Sequence, residues 1–167
     1  MVQLPKKPKE FEEKIIEIKR VSKKTKGGNR IGFSVLVVIG NKKGKVGVGL
    51  GKAPDVLSAI KKGVRLAKRN LVSISFYQNT IPHEIYIKQG AAKVLLKPAL
   101  QGTGVIAGGA IRSIVEVAGI HDIVTKQLGT RNKLSNTYAT MTALKQLKLR
   151  QAPQKQHQKT KTQKTKK

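Results

Sequence analysis

The chain has 167 residues, enough for one or two small domains, and carries 35 Lys+Arg against 8 Asp+Glu, a formal net charge of +27. Folding does not require a charge of that size, which repels itself and calls for a polyanionic partner, nucleic acid first. The absence of cysteine excludes disulfides, thiolate metal sites and cysteine nucleophiles. The longest apolar run, residues 35–39, is far shorter than the roughly 20 residues of a membrane helix, so no membrane partner is expected.

Residues 1–9 are basic and proline-containing, with neither a secretory core nor an Arg/Ser-rich transit pattern, and read as a flexible arm. The protein is therefore expected to work in the compartment where it is made. Residues 10–21 fit two periods. Phe11, Ile15 and Ile18 make a helical stripe, whereas Ile16 and Ile18 alternating with Glu17 and Lys19 make a strand. Residues 22–30 read as a Lys/Gly loop, a cationic finger whose Lys23, Lys24, Lys26 and Arg30 must stay in water or meet an anion.

Ile31, Phe33, Val35, Val37 and Ile39 alternate with Gly32, Ser34, Leu36 and Val38, as in a strand buried on both faces. Residues 41–44, NKKG, form a turn. Val46, Val48 and Leu50 then alternate with Gly47, Gly49 and Gly51. A strand tolerates such a glycine face where another backbone or a ligand comes close. Lys52 closes this stretch and joins the candidate anion contacts. Pro54, at a first helical position, and Asp55 open a helix. Val56, Ile60, Val64, Ala67 and Leu71 are its apolar stripe, and Lys61, Lys62, Arg65, Lys68 and Arg69 its basic face. No acid lies between residues 56 and 78, which favours anion contact over a merely solvated face.

A domain joint is expected near Ser73. Ile85 and Ile87 pair with residues 94–96 as a hairpin that turns over 89–92 and ends at Pro98. Gly102, Gly104, Gly108 and Gly109 lead into a helix with Ile111, Ile114, Val115 and Ala118 buried and Gly119 as its stop. Arg112 and Glu116 form an exposed pair four residues apart. Residues 120–124 read as a short strand, and Ser135 or Asn136 caps a last helix over 137–147. From residue 150 only small, polar and basic residues remain besides Pro153, a tail that cannot bury a core and is expected to be disordered until it meets an anion.

No catalytic or cofactor chemistry emerges. In Gly47-x-Gly49-x-Gly51-Lys52 the dinucleotide fingerprint fails, because Lys52 stands where the next glycine belongs. Residues 104–109 have P-loop spacing, but Ala110 and Ile111 replace the lysine and hydroxyl that hold phosphate and magnesium. His83, His121 and His157 lack metal-ligand spacing, so no metal site and no enzyme are expected. RNA fits better. The excess of Lys over Arg favours backbone phosphates over bidentate base reading. With three Tyr and three Phe, base stacking is not evident, and recognition of folded RNA shape is expected.

The stretch VSKKTKGGNRIGFSVLVVIGNKKGKVGVGLGKAPDVLSAIKKGVRLAKRNL resembles the N-terminal half of the universal small-subunit ribosomal protein five family, and GTGVIAGGAIRSIVEVAGIHDIVTKQLGTRN its C-terminal half. The resemblance covers residues 10–149. It implies an α+β protein of two small domains: a double-stranded-RNA-binding-like unit over 10–73, with residues 10–21 as strand, and a βαβα unit over 74–149. The arm 1–9 and the basic tail 150–167 flank them. It implies small-subunit ribosomal RNA as partner, contacts with small-subunit proteins four and eight, and a place beside the path by which messenger RNA enters the subunit. With proteins four and twelve it implies support of translational accuracy. By position, the RNA-contacting loop becomes Ser22, Lys23, Lys24, Lys26, Gly27, Gly28 and Arg30, reaching the neck near the spectinomycin site, with Asn29 a departure from the family pattern. Gly104 and Arg112 match the region facing protein four. KQLGTRNKLSN resembles the cyanobacterial and plastid branch, so the expected compartment is the chloroplast stroma, with bacterial cytoplasm as the alternative.

Overall fold

The computed structural model describes residues 11–147. The expected arm at 1–9 and tail at 150–167 lie outside those residues. The first sheet holds β1 (Glu12–Thr25), β2 (Gly28–Gly40), β3 (Lys45–Ala53) and β4 (Leu71–Ser73), in that order and antiparallel, with α1 (Val56–Arg69) between β3 and β4. The second contains β5 (Ile85–Gln89), β6 (Ala92–Pro98), β7 (Val105–Ile106) and β8 (Ile123–Leu128), in the order β5-β6-β8-β7, with α2 (Gly109–Ala118) joining the parallel pair β7 and β8. The last element is α3 (Lys133–Gln146), so β7, α2, β8 and α3 follow in βαβα order. The fold is α+β.

The strand reading of this stretch holds from Glu12 on, and a register shift between Ile15 and Glu17 explains the mixed periodicity there. The extra residue, Ile16, changes which positions share a face. The stretch 22–30 is not a loop. Ser22 pairs with Ile31, Lys23 with Arg30, Lys24 with Asn29 and Thr25 with Gly28, so all but Lys26 and Gly27 belong to the ends of one long hairpin. Composition hid this: Lys and Gly are poor strand formers alone, but the ladder inherits its register from the apolar residues below.

Both faces of β2 are covered, by different partners. Val35, Val37 and Ile39 pack with Ala59 and Ala67 of α1. Leu36 and Val38, with Val46 and Val48 of β3, face the other way into the core shared with Ile111, Ile114, Val117 and Leu144 of α2 and α3. The glycine face of β3 is covered by a backbone: an added Cβ on Gly47, Gly49 or Gly51 would stand 2.2, 2.1 or 2.0 Å from the carbonyl oxygens of Ala67, Gly63 and Ala59 respectively. The buried line of α1 is therefore Ala59, Gly63 and Ala67; the larger Val56, Ile60 and Val64 are only half-buried beside it, and Leu71 belongs to β4.

Three boundaries differ from the sequence reading. Asp55, not Pro54, opens α1: its Oδ2 accepts from the Ser58 amide at 3.2 Å as N-cap, leaving Pro54 outside the helix. The strand expected at 120–124 runs from Ile123 to Leu128, because Gly119 ends α2 in the left-handed region and the next residues make the return. The last helix starts at Lys133, capped by Asn132, whose Oδ1 accepts from the Leu134 amide at 3.1 Å; Asn136 is buried instead, its Nδ2 donating to the Thr130 carbonyl.

The turn 41–44 ties the first sheet to the C-terminal end of α2. Asn41 Oδ1 accepts from the amides of Lys43 and Lys45 at 2.9 and 3.0 Å. The amides of Lys42 and Gly44 donate to the carbonyls of Val117 and Ala118, both at 3.1 Å. The last carbonyls of α2 are thereby satisfied by the other half of the chain.

Candidate nucleic-acid interface

The β1–β2 hairpin projects beyond the sheet because β3 ends at Ala53, opposite Phe33, while β1 and β2 continue to Thr25 and Gly28. At the tip, Thr25 Oγ1 donates to the Gly28 carbonyl at 2.8 Å, and Gly28 takes a φ of 122° that other residues rarely adopt. A Cβ at Gly27 or Gly28 would meet nothing within 4 Å, so the tip is open to a partner. Every residue from Val21 to Ile31 is exposed.

Alternation sorts the hairpin's cations. Lys19, Val21 and Lys23 share a face with Arg30, Ser34 and Lys52, while Arg20, Ser22 and Lys24 share the other with Asn29, Ile31 and Phe33. Ser22, Lys23, Arg30 and Lys52, predicted separately from the sequence, line one cleft where β3 leaves the sheet. Lys24 and Lys26 stand outside it, nearer the tip. From Lys52 the chain passes directly into α1, where Lys61, Lys62, Arg65, Lys68 and Arg69 are all exposed. Lys61, Arg65 and Lys68 border a groove against Glu13 of β1.

Among the described carboxylates, all but Glu13 are occupied elsewhere. Glu12 pairs with Lys42 at 2.7 Å, Glu84 with Lys97 at 3.4 Å, and Glu17 with Lys19 and Lys133 at 3.2 and 3.5 Å. Glu116 holds Lys14 and lies 3.8 Å from Arg112 Nε. Asp55 caps α1. Among the described residues, no ion pair involves Lys23, Lys24, Lys26, Arg30, Lys52 or the five cations of α1. Their positive field is left for an external anion.

Gly104 and Arg112 lie together on the second unit, apart from the hairpin. Arg112 Nη2 donates to the carbonyl of Val105, next to Gly104, at 3.0 Å. Asp122 is buried and its Oδ1 accepts from the amides of Gly102 and Gly104 at 3.0 and 2.9 Å, clamping the loop with Gly104 at a φ of 74°. Sequence reasoning missed Asp122 because its partners are backbone amides about 20 residues earlier, which side-chain motifs do not register. It also missed Arg20 and Asn29, which line a shallow cleft with Ser22 and Ile31; once residues 12–25 are read as strand, alternation places Arg20 beside Lys24.

A cationic hairpin and helix whose cations form no ion pair among the described residues, carried on two packed α+β units, define a polyanion-binding structural protein. Residues 11–75 match the family model described as "Ribosomal protein S5, N-terminal domain", and residues 87–158 match "Ribosomal protein S5, C-terminal domain". The chain is 56% identical over 138 residues to "Small ribosomal subunit protein uS5" of Thermotoga maritima, covering 83% of this chain and 78% of the relative. It is 51% identical over 139 residues to the protein of the same name from Thermus thermophilus, covering 83% and 86%. The corresponding figures for Mycoplasma pneumoniae are 54% over 139 residues, 83% and 64%. The chain belongs to the ribosomal protein S5 family. That family is structural, and the chain is not an enzyme.

Proposed function

We infer that this chain is a structural, RNA-binding component of the small ribosomal subunit. Membership of the S5 family supports that role, and the observation that carries the RNA-binding part is the unpaired cationic surface from the hairpin tip through Lys52 to α1. Ser22, Lys23, Lys24, Lys26, Gly27, Gly28 and Arg30 approach the ribosomal RNA, the glycines by leaving the tip free of side chains. Lys52, Lys61, Lys62, Arg65, Lys68 and Arg69 extend the contact along α1. The chain works as a double-stranded-RNA-binding-like unit over 10–73 and an α+β unit over 74–149.

The finer reading follows the family resemblance. The chain contacts small-subunit proteins four and eight and lies beside the path by which messenger RNA enters. With proteins four and twelve it supports translational accuracy, Gly104 and Arg112 facing protein four. The clamped Gly104 loop, with Arg112 tied to Val105, supports that reading as a surface of defined shape. A plastid ribosome in the chloroplast stroma rests on the Lys excess and the KQLGTRNKLSN stretch, whereas the relatives above are bacterial and favour a cytoplasmic ribosome.

Sedimentation of native extract through a sucrose gradient after a moderate salt wash tests the ribosomal role. Co-migration with small subunits is expected. Recovery only at the top of the gradient overturns it in favour of a free RNA-binding factor, whose phosphate contacts alone would release RNA as salt rises.

A further inference from the structure

The cleft at the root of the hairpin contains more apolar surface than phosphate binding needs. It measures about 340 Å³ and is walled by Val21, Ile31, Phe33 and Pro54, with Lys23, Arg30 and Lys52 around it. Val21 and Ile31 remain 43% and 42% exposed in the most cationic part of the fold. Gly32 keeps the opening clear: a Cβ there would sit 3.3 Å from the Ala53 carbonyl oxygen and 3.8 Å from Val21 Cγ2.

The backbone adds a polar component. β3 stops pairing with β2 at Phe33, so residues 28–32 have β1 along one edge and no strand along the other. Arg30, Ile31 and Gly32 line the cleft beside Ala53 and Pro54, on that unpaired side. In an antiparallel ladder alternate residues turn their backbone N–H and C=O to opposite edges, so along this stretch every second residue presents its pair to the open side, where it needs a hydrogen-bond partner.

Apolar walls, an unpaired backbone edge and a cationic rim match three features of one nucleotide: base faces, base edge and phosphate. A regular duplex buries the first two and offers only the third. We propose that this notch, which lies at the open edge of β2, receives one unstacked nucleobase of the bound RNA, with Val21 on the face that carries Lys23, Arg30 and Lys52, Ile31 and Phe33 on the other face and Pro54 at the end, and with the flanking phosphates on Lys23, Arg30 and Lys52. The proposal rests on the RNA-binding reading above and narrows its ligand to RNA with an unpaired nucleotide.

Two RNA duplexes test it, identical except for one unpaired 2-aminopurine nucleotide, each titrated with the full-length chain. The bulged duplex is expected to bind roughly tenfold tighter, the scale of one base stacked on protein, and its fluorescence to shift on binding. Gly32→Val, which fills the opening, is expected to abolish the preference while leaving affinity for the unbulged duplex within about twofold. If circular dichroism shows that variant unfolded, affinity and fluorescence with the unaltered chain decide alone. Equal affinities with unchanged fluorescence overturn the notch while sparing the RNA reading. A preference that survives in folded Gly32→Val places the base elsewhere and also overturns the notch. Failure to bind either RNA overturns the RNA-binding reading itself, and the notch with it.

Discussion

Gly49 of β3 lies so close beneath Gly63 of α1 that a Cβ on Gly49 would stand 2.1 Å from the Gly63 carbonyl oxygen. The obstacle is helix backbone, which cannot rotate aside. Gly49→Ala is therefore expected to lift α1 from the sheet and destabilise the fold by about 2–4 kcal/mol, at or above the usual range for overpacking. Gly27→Ala, where a Cβ meets nothing within 4 Å and φ is not in the left-handed region, should stay within about 0.5 kcal/mol. Urea melts of the two variants check the contrast; equal midpoints would contradict the close packing.

Replacing Lys23, Lys24 and Lys26 by alanine removes three exposed cations that have no carboxylate partner among the described residues. The fold should survive, since none of the three contributes to either core. RNA affinity should fall, and the slope of log affinity against log salt should flatten by roughly 2–3, according to how many phosphates the three neutralise. Titrations at several salt concentrations, with circular dichroism alongside, measure both. Loss of fold would mean that the hairpin tip is structural.

Asp122→Asn keeps the shape of the side chain but removes the charge that accepts the Gly102 and Gly104 amides. The expected cost is about 1–3 kcal/mol, as for a weakened buried charge-assisted bond. Hydrogen exchange should accelerate at the Gly102 and Gly104 amides before other amides of the second unit. Unchanged exchange there would show that the loop holds its shape without the carboxylate.

Arg112→Ala should change little in stability. Its pair with Glu116 is long, at 3.8 Å, and half-exposed, so it contributes a few tenths of a kcal/mol at most. Subunits should still assemble, and misreading, measured with a stop-codon readthrough reporter in cells carrying the variant, should change. Assembly with unaltered misreading would count against the Arg112 surface as an accuracy contact.

Much of this arrangement is legible from residue pattern. The alternation of residues 31–39 indicates a strand covered on both faces, and the Gly47, Gly49, Gly51 ladder requires a close neighbour, because both follow from the two-residue period of a strand. The helix over Val56–Arg69 and its basic face follow from periodicity and charge. Ala59 and Gly63, which with Ala67 make the small-residue line, escaped notice because hydrophobicity points to larger side chains, whereas close approach to glycine selects the smallest.

Charge and glycine spacing along the chain were enough to indicate a polyanion-binding protein of mixed strands and helices without metal or nucleotide motifs, since those signals are carried by composition and local period, while the α+β class came with the family resemblance. Three-dimensional packing settled what depends on pairs distant in sequence. It turned a supposed loop into a hairpin, because strand register is set by the apolar residues lower in the ladder. It gathered Lys23, Arg30 and Lys52 around one cleft, because β3 ends opposite Phe33. It joined Asp122 to the Gly104 loop, because a buried carboxylate must find donors wherever the fold supplies them.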